Sequence, residues 1–166
     1  MSRRSVALVL LAAVALSGAG MVKRGLAGNV TVGQSAPAFA IDTLDGRSIT
    51  ADFHGKPAYI NVFATWCSPC RRELPSIAAQ TKRYGASIAT LLVDEQEPEK
   101  VVKAFLQRFD VDAGVAVDPG QFAATFGVGG LPESIFIDRR GIVRYIYRGA
   151  IPPEVLAQQL SVLGTQ

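Results

Sequence analysis

The chain has 166 residues and a mass of 17.6 kDa, room for one domain with a buried core. Hydrophobic residues make up 49% and charged residues 19%, which excludes a disordered, highly charged polymer. The net charge of +3 comes from residues 1–27, where Arg3, Arg4, Lys23 and Arg24 stand without an acid; the remainder carries 13 basic against 14 acidic residues, which argues against a nucleic-acid-binding face.

Residues 1–27 read as a signal peptide or membrane anchor. Arg3 and Arg4 precede an uncharged run from Ser5 to Val22. Its apolar core, Val6 to Leu16, has 11 residues, the length of a signal-peptide core; a full bilayer crossing needs about 20. Small residues at Ser17-Gly18-Ala19 and Gly25-Leu26-Ala27 offer cleavage sites, so cleavage and retention both stay open. Either outcome places the domain outside the cytoplasm, in an oxidising or periplasmic compartment. Residues 28–37 read as a polar linker and 38–166 as the folded domain.

Within that domain, Phe39-Ala40-Ile41 and Ile49 flank Asp45-Gly46, the pattern of a hairpin. Tyr59 to Ala64 is nearly continuous apolar sequence, as expected of a central strand covered on both faces. Cys67 to Tyr84 reads as a helix, with Pro69 in its first turn and Gly85 as its stop. Ile88 to Val93 reads as a second buried strand. A second helix starts at Pro98, with Val101, Val102, Phe105, Leu106 and Phe109 as its inward face. Asp94 to Glu97 reads as the loop before it. Val115–Val117 reads as a short strand and Gln121–Phe126 as a short helix. Ser134–Ile137 and Ile142–Tyr147 read as a hairpin turning at Asp138-Arg139-Arg140-Gly141. Pro152 and Pro153 open a last helix with Leu156, Leu160 and Leu163 at i, i+4, i+7. The order ββ, βαβα, ββα describes an α/β domain with a central mixed sheet flanked by helices.

The chemistry concentrates in Trp66-Cys67-Ser68-Pro69-Cys70, which holds both cysteines of the chain. This C-x-x-C follows a strand and opens a helix. A thiol there sits among unpaired N–H groups at the positive end of the helix dipole, which favours its thiolate, the nucleophile of disulfide exchange. Cys67 then attacks a substrate disulfide, and Cys70, one turn on, resolves the mixed disulfide and leaves Cys67–Cys70 oxidised. Other readings compete. A zinc site needs four ligands, and only Cys67, Cys70 and His54 are on offer. Covalent haem attachment needs a histidine where Arg71 stands. A purely structural disulfide stays open, although so short a loop constrains the unfolded chain little.

Phe63-Ala64-Thr65-Trp66-Cys67-Ser68-Pro69-Cys70 resembles the active-site run of thioredoxin-like proteins, and Pro75 matches their helix proline. Gly127 to Asp138, with Pro132, resembles the loop carrying their cis-proline and the strand after it. Cys70-Arg71-Arg72-Glu73 and Pro132-Glu133 are similar to the exported TlpA/ResA/CcmG (DsbE) branch. The resemblance covers about residues 33–163. It implies a thioredoxin-like fold with an N-terminal β-hairpin and an inserted helix between the βαβ and ββα halves. It also implies a cis Pro132 facing the cysteines, with the backbone of Leu131 free to pair with an extended substrate segment. Glu73 is then a proton acceptor or tuner for the thiols, the alternative being a solvated helix carboxylate. Asn61 stands where thioredoxin has a buried Asp; an amide accepts no proton, which leaves Glu73 or water for Cys70. Trp66 reads as part of the docking surface, with core packing as the alternative, and Glu133 as lining the same groove.

The expected function is an extracytoplasmic thiol–disulfide oxidoreductase, with Cys67, Cys70 and Glu73 catalytic and Trp66, Leu131 and Pro132 binding substrate. No metal or other cofactor is expected beyond the redox-active disulfide. The implied partners are disulfide-containing exported proteins, such as an apocytochrome c, and a membrane protein that supplies electrons. A thiol peroxidase would place Thr three residues before the attacking cysteine, where Ala64 stands. A non-catalytic partner-binding module is the other alternative.

Overall fold

A computed structural model describes residues 30–50, 55–85 and 87–165. The leader expected over 1–27 and His54 lie outside the described residues. No described helix is long and apolar enough to cross a membrane.

Five strands form the main sheet: β3 (Ala58–Phe63), β4 (Ala89–Glu95), β5 (Gly114–Asp118), β6 (Glu133–Ile137) and β7 (Val143–Arg148), in spatial order β5-β4-β3-β6-β7. A separate antiparallel hairpin, β1 (Ala40–Asp42) and β2 (Ser48–Thr50), precedes them. β3, β4 and β5 run parallel, joined through α1 (Ser68–Tyr84) and α2 (Glu99–Leu106); β6 and β7 are antiparallel. This is the thioredoxin-like arrangement, with α2, β5 and α3 (Gln121–Phe126) inserted between β4 and β6.

Every residue of β3 is buried, which accounts for its unbroken apolar run. Alternation divides its side chains between the two faces. Tyr59 and Phe63 pack with Leu74 and Ile77 of α1, Val102 and Phe105 of α2, and Leu156, Leu160 and Leu163 of α4 (Pro153–Gly164). Ile60 and Val62 pack on the other side with Ile41 of the hairpin and Phe122 and Phe126 of α3. Each fully buried leucine on α4 contributes on the order of 1.5–3 kcal/mol to this clamp. α3 lacks a capping side chain at its own N-cap, and Asp118 at the end of β5 substitutes by accepting the N–H groups of Phe122 and Ala123, each at 2.8 Å.

Several expectations need correction. Val101, expected on the inward face of α2, is 38% exposed, because that helix buries only Val102 and Phe105. Phe109 lies beyond the end of α2. Asp94 and Glu95 belong to β4, not to a loop. Gly85 stops α1 as expected, in a right-handed conformation. A Cβ at this position would come within 2.8 Å of both Asp112 Oδ2 and Thr81 O; close approach explains the glycine. Residues 33–36 run beside the start of β7, where Gly33 N–H donates to Val143 O, Val143 N–H to Gln34 O and Ala36 N–H to Gly141 O.

Candidate functional site

The C-terminal ends of β3 and β4 carry the site, the usual crevice of parallel sheets. β3 ends at Phe63, and the chain turns through Ala64, Thr65 and Trp66 into Cys67, the N-cap of α1. Cys67 has extended backbone angles, φ −74° and ψ 107°, so the strand delivers its sulfur directly to the helix terminus. Cys70 N–H points at Cys67 Sγ at 3.3 Å, the donor–sulfur contact expected of a helix N-terminus. Cys67 and Cys70 form a disulfide with S–S 2.07 Å. Cys67 is 5% exposed and Cys70 1%, so Cys67 is the less buried of the two residues. Trp66 beside it is 66% exposed; core packing is therefore not its role.

The other wall follows from strand register. β6 runs antiparallel to β3, with Val62 opposite Glu133. Leu131 and Pro132 therefore lie across from the end of β3 and the loop that leads to Cys67. The Leu131–Pro132 peptide is cis. The ladder with β3 begins at Glu133, so the backbone of Leu131 stands outside it. Glu133 is buried with its carboxylate 3.4 Å from Arg148 Nε. Burial pushes its pKa up, and the Arg148 cation opposes that.

Glu73 is no solvated carboxylate. It is 4% exposed, on the buried face of α1 one turn beyond Cys70. Its Oε1 accepts Asn61 Nδ2 at 2.9 Å and its Oε2 accepts the N–H of Ile151 at 2.7 Å. Burial raises its pKa from 4.5 to about 7 against these two hydrogen bonds, which favour the charged form. Asn61 also donates to Ser134 Oγ at 3.1 Å, and Tyr59 OH lies 3.1 Å from the same oxygen. A chain of polar groups thus runs under the sheet face behind the cysteines. Sequence reasoning reached Glu73 and Asn61 separately but not their bond, and it missed Tyr59 and Ser134 altogether. The cue was available: two polar residues, Asn61 and Ser134, in otherwise apolar central strands.

A second pair of carboxyls was also missed. Glu97 accepts both the N–H of Thr65 and its hydroxyl, the latter at 2.7 Å, and so ties down the loop two residues before Cys67. Asp94, fully buried at the end of β4, accepts the N–H of Glu97 at 3.0 Å. Burial, reinforced by Glu97, pushes Asp94 up to about 7, whereas Thr65 holds Glu97 below the usual range against its own burial. Hydrogen bonds to a charged acceptor contribute about 1.5–3 kcal/mol each, partly offset here by the burial of Glu97. Glu97→Ala is expected to lower unfolding stability by about 1–2 kcal/mol at neutral pH, read by urea denaturation. An unchanged midpoint would show that the loop holds itself.

No group of three or more metal-ligating side chains occurs among the described residues.

Residues 32–146 match the AhpC/TSA family. The thioredoxin-like protein YneN of Bacillus subtilis is 31% identical over 134 residues, covering 78% of this chain and 79% of that protein. The thiol-disulfide oxidoreductase ResA of Geobacillus thermodenitrificans is 34% identical over 134 residues, covering 79% and 77%. Among solved structures, a thiol:disulfide interchange protein DsbE from Chlorobium tepidum superposes with a TM-score of 0.75 at 30% identity, covering 82% of this chain and 99% of that one.

Proposed function

The chain belongs to the AhpC/TSA family of thioredoxin-like proteins and is a thiol–disulfide oxidoreductase; we propose that it acts outside the cytoplasm as a reductant of disulfides in exported proteins. The observation that carries this reading is the Cys67–Cys70 pair at the start of α1, with the exposed Trp66 on one side and Leu131-Pro132 on the other. In the reduced protein the thiolate of Cys67 attacks one sulfur of a substrate disulfide and displaces the other as a thiolate. Cys70 then attacks Sγ of Cys67, releases the substrate's second sulfur, and closes the intramolecular disulfide. Two electrons pass to the substrate, and the two thiol protons end on its sulfurs. An electron donor must restore the dithiol, and a membrane protein carrying electrons outward is the proposed source.

Leu131 offers its backbone to an extended substrate strand, and Pro132 shapes the wall beneath it. Glu73 takes the proton of Cys70. Asn61 Oδ1 has no partner among the described residues. Turning that amide by 180° would let Oδ1 accept the proton of a neutral Glu73, so the network has a resting place for it. The haem-site cysteines of an apocytochrome c are the proposed substrate, as the sequence resemblance to the TlpA/ResA/CcmG branch implies. Residues 1–27 are the proposed export signal or anchor.

Direction is testable. Equilibrated with a glutathione series, the couple is expected nearer about −270 mV than about −120 mV. A value at the oxidising end would make the protein a donor of disulfides. A thiol peroxidase is the second reading. Ala64, three residues before Cys67, has no hydroxyl, and the hydroxyl of Thr65 is held by Glu97. Hydrogen peroxide consumption at a rate matching disulfide reduction would favour that second reading.

A further inference from the structure

Beside the cysteines, on the flank opposite Pro132, the structure leaves an open groove of about 710 Å³. Thr65 and Arg71 form one bank. Lys100, Val101, Ala104, Phe105 and Arg108 of α2 and its end form the other. Its floor is apolar, Val101 is 38% exposed, and Trp66 at 66% follows Thr65 directly. Its rim is cationic. The ion pairs of the described residues engage Arg47, Lys82, Lys103, Arg140, Arg144 and Arg148; Arg71, Lys100 and Arg108 enter none of them. The guanidiniums of Arg71 and Arg108 lie 6.0 and 4.8 Å from the ring centre of Phe105, so the ring holds both charges over the groove. The acids nearby are spoken for. Glu97 is bound to Thr65, and Glu99 pairs with Lys103. A chain with net negative charge beyond residue 27 thus concentrates three cations without an acidic partner next to its nucleophile, the Arg108 guanidinium donating only to the Phe105 carbonyl at 3.3 Å.

We propose that this groove docks an acidic segment of the protein that exchanges disulfides with Cys67, seating an apolar side chain of that segment on Val101 and Ala104 between Arg71, Lys100 and Arg108. The proposal rests on the exchange reading above for its biological sense, and charge complementarity selects the occupant. Opposite charges steer encounter and fix register, and they weaken as salt shortens the Debye length. A lysine-rich segment would meet like charge on both banks.

The test uses the purified protein and two cysteine-free peptides, one Asp/Glu-rich and one Lys-rich, each with a central leucine. Binding is read by the fluorescence of Trp66, the only tryptophan, at low and high salt. The acidic peptide is expected to bind, the basic one not, and salt to weaken binding. The double variant Lys100→Glu/Arg108→Glu should weaken acidic-peptide binding by about tenfold or more and invert the preference. Matched charge reversal at Arg139, on the β6–β7 turn, should leave it unchanged. Equal binding of the two peptides, no binding, or binding indifferent to the α2 reversals overturns the proposal. So would charge-dependent binding to phosphatidylglycerol vesicles in preference to the acidic peptide, since that assigns the groove to a membrane surface. Because the peptides carry no sulfur, these outcomes stand apart from exchange itself, which a peptide disulfide measures separately.

Discussion

Replacing Cys70 with Ala is expected to convert the protein into a trap. Attack by Cys67 still occurs, but the mixed disulfide has no resolving thiol behind it and accumulates. Its second partner, released by reduction and identified by mass spectrometry, names the substrate. Cys67→Ala is expected to form no such adduct and to reduce disulfide-exchange activity to background, because Cys70, at 1% exposure, is closed to an incoming sulfur. The two variants must differ. Adducts of equal yield from both would mean that either sulfur meets substrate, and the asymmetry drawn from burial and helix position would be wrong. Neither variant is expected to misfold: each leaves one small thiol in a pocket already fitted to sulfur, and the link removed closes a loop of only three residues' separation.

Glu73 carries the second large effect. Its pKa is raised from 4.5 in the unfolded chain to about 7 in the fold. Between those values the folded state holds more protons than the unfolded state, so its contribution to stability falls as pH rises. The favourable contribution is fully present below pH 4.5 and gone above about pH 7, a change on the order of 3 kcal/mol. Glu73→Gln should remove this dependence. The difference in stability between the two proteins, followed by urea denaturation from pH 4 to 8, is expected to shift steadily in favour of Gln across that window. Gln has one carbonyl for the two donors, Asn61 Nδ2 and Ile151 N–H, so a constant offset is expected beneath the slope. The same variant tests the proton role. Resolution of the mixed disulfide should slow by about a hundredfold, the lower range for a lost general base, while initial attack by Cys67 changes much less. The native rate of resolution should rise through about pH 7 as Glu73 ionises, and this inflection should vanish in Gln. An unaltered pH profile would reduce Glu73 to a structural acceptor for Ile151.

Much of this architecture is legible before any coordinates. The Tyr59–Ala64 run is buried on both faces because it is the middle strand, and its composition says so. The C-x-x-C announces itself by following that strand. Leu156, Leu160 and Leu163 recur at helical spacing and pack as that spacing implies. What escapes the sequence is pairing across distance. Glu97 meets Thr65 over a separation of 32 residues, and nothing local distinguishes it from Glu95 or Glu99. Asp94 looks like a loop acid because charge seldom fills a strand end, yet the neighbouring β5 covers it and Glu97 supplies a donor. Asn61 stands out in the sequence for what it lacks, the ability to accept a proton. Its partner could be found only when β3, β6 and α1 came together. Val101 fits the helical stripe of α2 as well as Val102 does. Only the packing of that short helix shows that Val101 points outward, and this same outward turn opens the groove beside Cys67.

The most direct test of the whole account is to map alkylation of the fully reduced protein by peptide mass spectrometry over time and pH. Cys67 is expected to be modified first and alone, with Cys70 following only on prolonged exposure or unfolding. Modification of Cys70 first, or at the same rate, would contradict the claim that the helix terminus presents one particular sulfur to substrates.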